Sequence, residues 1–341
     1  MSDTSTEVTR ERLLEMMTAF KETYLLRTAI ELKVFDSLAE GPADAAHVAR
    51  AVSGDPRATR ILLHALAAAG LLDTEGTRFR LPPGAAQLLV TSSPAYFGGN
   101  AHIASSTWEW DTMRGLPDVV RNGGPLAEAD AESPGFPFWV DFATHLTGLT
   151  RAGAALVADA LGPWAGSREE LRILDVGCGH GLFGLTLAGR HPHGRVRCQD
   201  WPNVLEATAG HARRMGLEDR TSYLPGDAFE VPLDGPYDVI VLANFLLQFS
   251  YERSLGLLRR LAPALAPGGR IVITGFTTGE QHPTREYHAH MLALLMLATT
   301  SGGEPHSSEA YRSMLTEAGL RNVRTHAPDG LPLRVTEGER A

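Results

Sequence analysis

The stretch from residue 171 to residue 276 constrains this chain more than any other. LRILDVG, RVRCQD, SYLPGD, YDVIVLAN and RIVITGF are short apolar runs, with helical patterns from about 182, from Val204 and up to Leu265 among them. Such runs, alternating with helices, predict an open, mostly parallel sheet covered on both faces. The first run ends in Asp175 and is followed by Gly177, Gly179 and Gly181. Glycines there let the backbone turn tightly into a helix while a ligand approaches without meeting side chains. A nucleotide-like cofactor is therefore expected at this turn. Helices at about 284–300 and 308–318, the latter stopped by Gly319, and two strands in NVRTHAP and LPLRVTE complete the α/β domain.

The first third has a different texture. Leu14, Met17, Phe20, Leu25, Ile30 and Leu38 recur at helical spacing, and Ala-rich helices are expected at 43–52 and 56–69. Asp55-Pro56 supplies an N-cap and a first-turn proline, Gly70 a stop, and LLDTEGTRFRLP a hairpin around Glu75-Gly76. Together these outline a winged helix. Its use on DNA is disfavoured, because residues 1–165 carry 13 Lys and Arg against 20 Asp and Glu. A dimerisation platform is the preferred reading. Residues 95–165 are richer in aromatics and prolines, with a long helical pattern from about Phe138 to Leu161, and read as a helical connector. The expected division is 1–94, 95–165 and 166–341.

With 341 residues, 43% of them hydrophobic, the chain has material for two packed domains. Its net charge of −9 opposes nucleic acid and anionic membrane surfaces as partners. Two cysteines, Cys178 and Cys198, suggest neither a disulfide framework nor a metal site. The longest apolar stretch, Met291 to Ala298, is too short to cross a bilayer, and the amino terminus has no apolar signal core. A cytoplasmic location is expected.

Two cofactor classes compete for the glycine loop. Gly179 to Gly184 formally matches the G-x-G-x-x-G dinucleotide fingerprint, with Asp200 available for a ribose. Against it, the third glycine falls inside the expected helix, and Asp175 sets a carboxylate where a pyrophosphate would be repelled. A cationic amino-acid end is the better fit.

DVGCGHG resembles the first motif of class I S-adenosylmethionine (SAM)-dependent methyltransferases, and later motifs follow in order: Asp200 in CQDWP, Gly226-Asp227-Ala228-Phe229, and LAPGGRIVI. Over about residues 10–338 the chain is similar to the caffeic-acid and hydroxyindole O-methyltransferase-like family, through VFDSLAEGPADAAHVARAV, RILLHALAAAGLL and DRTSYLPGDAFEVPLDGPYDVIVLANFLLQFS. The resemblance implies a Rossmann-like class I methyltransferase domain, an amino-terminal winged-helix dimerisation domain and a homodimer. It implies a SAM site made by Asp175, Gly177, Gly179, Gly181, Asp200, Trp201, Asp227, Ala228, Phe229 and Asn244, with Asp200 on the ribose and Asp227 on the adenine amine. The acceptor pocket it implies involves Trp108, Phe138, Trp139, Phe142, Met291 and Met296, which suit a flat, largely apolar metabolite such as an aromatic or polyketide.

One family feature is absent. The histidine that takes the acceptor's proton stands in patterns like L-H-D-W, and here that position holds Leu247, followed by Gln248. An amide cannot take up a proton near neutral pH. Three readings remain: an acceptor that arrives ionised, an acceptor carbon or nitrogen that needs chiefly proximity, or a base supplied elsewhere. Candidates are Gln248 as a hydrogen-bonding group, His145, and His288 beside Glu286 and His290. His288 and His290, two residues apart, point about 160° from one another on a regular helix, so no metal pair is expected. Methyl transfer in secondary metabolism is the favoured function. The alternatives are a SAM-binding relative with hydroxylation, decarboxylation or cyclisation chemistry, and a DNA-binding ligand sensor.

Overall fold

The structure, a computed structural model, describes residues 8–126, 131, 133, 136, 138–146, 148–327 and 332–341. The chain divides into two compact units, residues 1–106 and 107–341.

In the first unit six helices surround a small antiparallel sheet of β1 (Ala43–Asp44), β2 (Asp73–Glu75) and β3 (Arg78–Arg80), in the order β1-β3-β2. The Asp55 carboxylate accepts the Ala58 N–H at 2.8 Å and Pro56 opens the helix Pro56–Ala68, as the sequence predicts. Phe35, Leu63, Leu66, Leu72 and Phe79 form the core. The helix Arg10–Glu31 instead leaves Leu14, Met17 and Phe20 exposed.

The second unit is built on seven strands: β4 (Leu171–Val176), β5 (Gly194–Asp200), β6 (Thr221–Pro225), β7 (Tyr237–Ala243), β8 (Leu265–Phe276), β9 (Arg321–His326) and β10 (Leu333–Glu339). Their order is β6-β5-β4-β7-β8-β10-β9. The pairs from β6 to β8 are parallel, and β10 runs antiparallel to both β8 and β9. Side chains alternate between faces, so Ile173, Val239 and Val241 join one core layer while Leu174, Ile240 and Leu242 join the other. That is why these strands read as unbroken apolar runs. The order reverses between β4 and β7, and ligands of open α/β sheets settle at the carboxyl ends of strands at such a point.

The helical pattern from Phe138 to Leu161 is not one helix. Phe138–His145 and Gly148–Ala165 are separate elements, with Leu146 outside both. Apolar spacing persists across the interruption, so periodicity does not see it, and Gly148 is among the residues that least favour continuing a helix.

Candidate active site

At the carboxyl end of β4 the chain turns through Gly177, Gly179 and Gly181, all at positive φ, into the helix Leu182–Arg190. A Cβ at Gly177 would lie 2.3 Å from the Phe245 ring, and one at Gly181 would lie 2.5 Å from a Thr208 methyl carbon. Gly177 thus lets the loop approach the segment after β7, and Gly181 seats it on the helix Pro202–Arg214. Gly184 lies inside its helix, where a Cβ would meet Asp175 and Val196, so its role is helix-to-strand packing.

The loop is tied to the end of β5. The Asp200 carboxylate accepts from Gly179 N at 2.8 Å through Oδ2 and from Trp201 N at 2.7 Å through Oδ1. Gln199 accepts from Gly177 N at 3.2 Å and donates to Gly226 O at 2.6 Å, joining the turn after β4 to the turn after β6. Burial pushes the Asp200 carboxyl up to about 6, and those two N–H donors oppose the rise. Asp175 is buried beneath the loop and does not border the pocket. Its Oδ2 accepts from Gly184 N at 2.8 Å, and desolvation pushes its carboxyl to about 7.

One pocket collects these strand ends. Its wall includes Gly177, Cys178, Gly179, Asp200, Trp201, Asp227, Ala228, Phe229, Asn244 and Gln248. Asp227 Oδ1 accepts the Phe229 N–H at 2.8 Å, which fixes that turn. The Phe249 ring stands edge-on to Phe229 and to Phe245, each at 5.1 Å, and the Arg253 guanidinium lies 4.7 and 4.8 Å from the Phe229 and Phe249 rings. Asn244 adopts φ +52 immediately after β7, a conformation asparagine tolerates better than most residues. Leu247 is buried in the turn Leu246–Gln248.

The opposite wall is aromatic. Trp139, anchored by its indole N–H to Ala131 O at 2.7 Å, and Phe142 border the pocket together with His180 and Phe183. His180 is buried, with Phe142 stacked on its ring at 6.2 Å and 19° and Phe183 tilted against it at 6.1 Å. Its Nδ1 accepts the Leu182 N–H at 3.2 Å. Desolvation, with a smaller repulsion from His211, pulls the His180 pKa down to about 3, so the ring is neutral.

Several expected residues lie elsewhere. Asp175 lies beneath the loop, and Gly181, the last glycine of the loop, faces Thr208 rather than the pocket. Trp108 packs on Phe138 at 4.4 Å, and Phe138 and Met296 are buried in the protein. Met291 is exposed, as is His288, whose ring stands against Tyr287. His145 ends its helix and is not among the pocket's described lining residues. Glu286 accepts the N–H groups of Gly279, Glu280 and Gln281 at 2.8 to 2.9 Å, clamping its own loop. Conversely, sequence reasoning passed over His180, Gln199, Phe245, Phe249 and Arg253. The signal for the first two was position, between two loop glycines and directly before Asp200.

The O-methyltransferase domain profile matches residues 146–321, and the O-methyltransferase dimerisation domain profile matches residues 14–91. The chain belongs to the O-methyltransferase family. It is 32% identical to acetylserotonin O-methyltransferase of Mus musculus over 93% of this chain and 85% of that one. It is 29% identical to 3-hydroxy-5-methyl-1-naphthoate 3-O-methyltransferase of Streptomyces sahachiroi, over 92% and 90%. PigF, a Serratia protein solved with S-adenosylhomocysteine (SAH), superposes with a TM-score of 0.81 at 26% identity, covering 98% of this chain and 100% of that one. In this O-methyltransferase family member, the matched O-methyltransferase domain contains the described pocket wall but for Ala131, Trp139 and Phe142.

Proposed function

We propose that this chain is a SAM-dependent methyltransferase of secondary metabolism that methylates a hydroxyl of a small aromatic or polyketide-like metabolite. The observation that carries the reading is the Asp200 carboxylate, held at the strand end by Gly179 and Trp201. Each of its oxygens keeps a lone pair beyond the N–H it accepts, the acceptor pair a ribose diol needs. Asp227 keeps Oδ2 for an exocyclic amine, and Phe229 offers its ring to an adenine. Gly177 and Gly179 border the site for the amino-acid end. When bound, SAM supplies an electrophilic methyl group on a sulfonium.

Trp139 and Phe142 favour a flat acceptor. Among the described residues of the wall, the Asp200 and Asp227 carboxylates are assigned to the cofactor, Gln248 and Asn244 are amides, and the Nδ1 of His180 is already engaged, which leaves no side chain to take the acceptor's proton. Transfer then works by positioning, on an acceptor oxygen acidic enough to arrive ionised, such as an acidic phenol or enol. The dimerisation domain, with Leu14, Met17 and Phe20 exposed on its first helix, supports a homodimer. A cytoplasmic location agrees with two buried free thiols, and among the described residues no helix is long and apolar enough to cross a membrane.

Incubation with SAM and a panel of hydroxylated aromatics tests the reading by mass spectrometry. SAH and a product heavier by one CH2 should appear together. Product formed while SAM remains intact would overturn methyl transfer, and absence of calorimetric SAH binding would overturn the cofactor assignment.

A further inference from the structure

The histidine inside the glycine loop is held in one orientation by the groups around it. His180 cannot act as a base through Nδ1, because that atom accepts the Leu182 N–H at 3.2 Å. A neutral imidazole whose Nδ1 accepts must carry its proton on Nε2. Phe142 stacks on the ring and Phe183 packs against it, so the ring plane is fixed. Among the described residues no group accepts a hydrogen bond from Nε2, although the ring borders the pocket and the residue is only 5% exposed. Nε2 is not one of the wholly buried unpaired atoms, so it opens onto the pocket, where a ligand oxygen can take up its N–H.

We propose that His180 is a fixed neutral hydrogen-bond donor whose Nε2–H binds an anionic oxygen of a ligand in the pocket. Two ligands carry such an oxygen: the cofactor, in its amino-acid carboxylate, and the acceptor, in an ionised hydroxyl. The inference rests on the SAM reading above. Leu182 begins the helix at whose entry the histidine sits, so the same backbone turn that forms the glycine loop also sets the tautomer. A donor that stays neutral across the physiological range gives a hydrogen bond independent of pH, which a protonatable histidine would not.

Two variants separate donor from scaffold. His180→Phe keeps a planar ring between Phe142 and Phe183 and removes the donor, whereas His180→Gln restores an N–H near the position of Nε2. Both are checked for folding by thermal denaturation and then titrated calorimetrically with SAH. If the oxygen is the cofactor's, H180F weakens SAH binding about tenfold or more and H180Q stays within about threefold of wild type. If it is the acceptor's, SAH binding is unchanged in both, while the acceptor KM rises about tenfold in H180F and recovers in H180Q. Nitrogen-15 NMR of the histidines should show the His180 ring as the Nε2–H tautomer between pH 5 and 8.

The proposal is overturned if H180F matches wild type in both measurements, if H180Q is as impaired as H180F, or if the ring titrates in that range. A wild-type protein that does not bind SAH at all defeats the cofactor reading itself, and the NMR tautomer then still tests the donor assignment.

Discussion

The ends of β4, β5 and β6 and the aromatic wall of Trp139 and Phe142 border the same pocket, but they are held in different ways. On the strand side each polar group is tied to backbone within a few residues of a strand end: Asp200 to Gly179 and Trp201, Gln199 to Gly177 and Gly226, Asp227 to Phe229. On the aromatic side the contacts are between rings, such as Trp139 and Phe142 at 5.7 Å, on a short helix outside the sheet. Hydrogen bonds to strand ends tolerate little displacement, whereas ring contacts repack when one ring changes. The half proposed for the cofactor is therefore set by the fold, and the half proposed for the acceptor is open to retailoring for other metabolites.

The strongest way to break that contrast is at Gly177. Alanine there has to hold φ near +59° and place its Cβ against the Phe245 ring. Gly177→Ala should reduce SAH affinity at least 100-fold by calorimetry and lower the melting temperature. Retention within tenfold would show that the turn is not rigid. Asp200→Asn comes next, because an amide cannot accept from two N–H groups and a diol together. About 100-fold weaker SAH binding is expected. The wild-type carboxyl sits near 6, and in its proposed role it accepts from the ribose when ionised, so affinity should be constant above pH 6 and fall about tenfold per unit below it. The variant should lose that limb.

Buried Asp175 gives a second pH effect, on stability. Its carboxyl stands at about 7 when folded, against about 3.9 in an unfolded chain. The folded state therefore holds the proton more tightly, and stability falls as pH rises from about 4 to about 7. The slope, read by denaturant titration without ligand, amounts at most to about 4 kcal/mol over that window, and Asp175→Asn should flatten it.

The sheet was legible because Ile173, Leu174, Val239 and Ile240 are buried on both faces and leave a continuous apolar record, and the loop because three glycines in five residues have few other uses. Asp200 and Asp227 followed from their places after strands. The acceptor wall was not legible in the same way, since an aromatic residue serves a core as well as a pocket. Phe138 packs on Trp108 while Trp139 and Phe142, on the same short helix as Phe138, border the cavity, and only their place around that helix separates the two outcomes. His180 escaped notice because a residue between two glycines reads as turn filler until its ring contacts are known. Phe142→Leu sharpens this part of the comparison: acceptor KM should rise about tenfold through the lost ring contact, with a smaller change in SAH affinity because His180 keeps its Phe183 contact and its bond to Leu182.

The smallest expected effect belongs to His288, the sequence's alternative candidate for a base. It is exposed on the helix Tyr287–Thr299, beside Tyr287. Its neighbour His290 lies 3.5 Å from Glu286, whose carboxylate is already committed to three loop N–H groups. Nothing in that arrangement carries a proton to or from the pocket wall. His288→Ala should thus leave kcat within about twofold of wild type, the ordinary range for an exposed side chain without a partner in the chemistry, and leave the pH profile unchanged. A 100-fold loss in kcat, with the basic limb of the profile shifted, would mean that this helix closes on the acceptor during turnover. The acceptor half would then owe its chemistry to a moving element, and the contrast with the backbone-fixed cofactor half would be larger than ring packing alone implies.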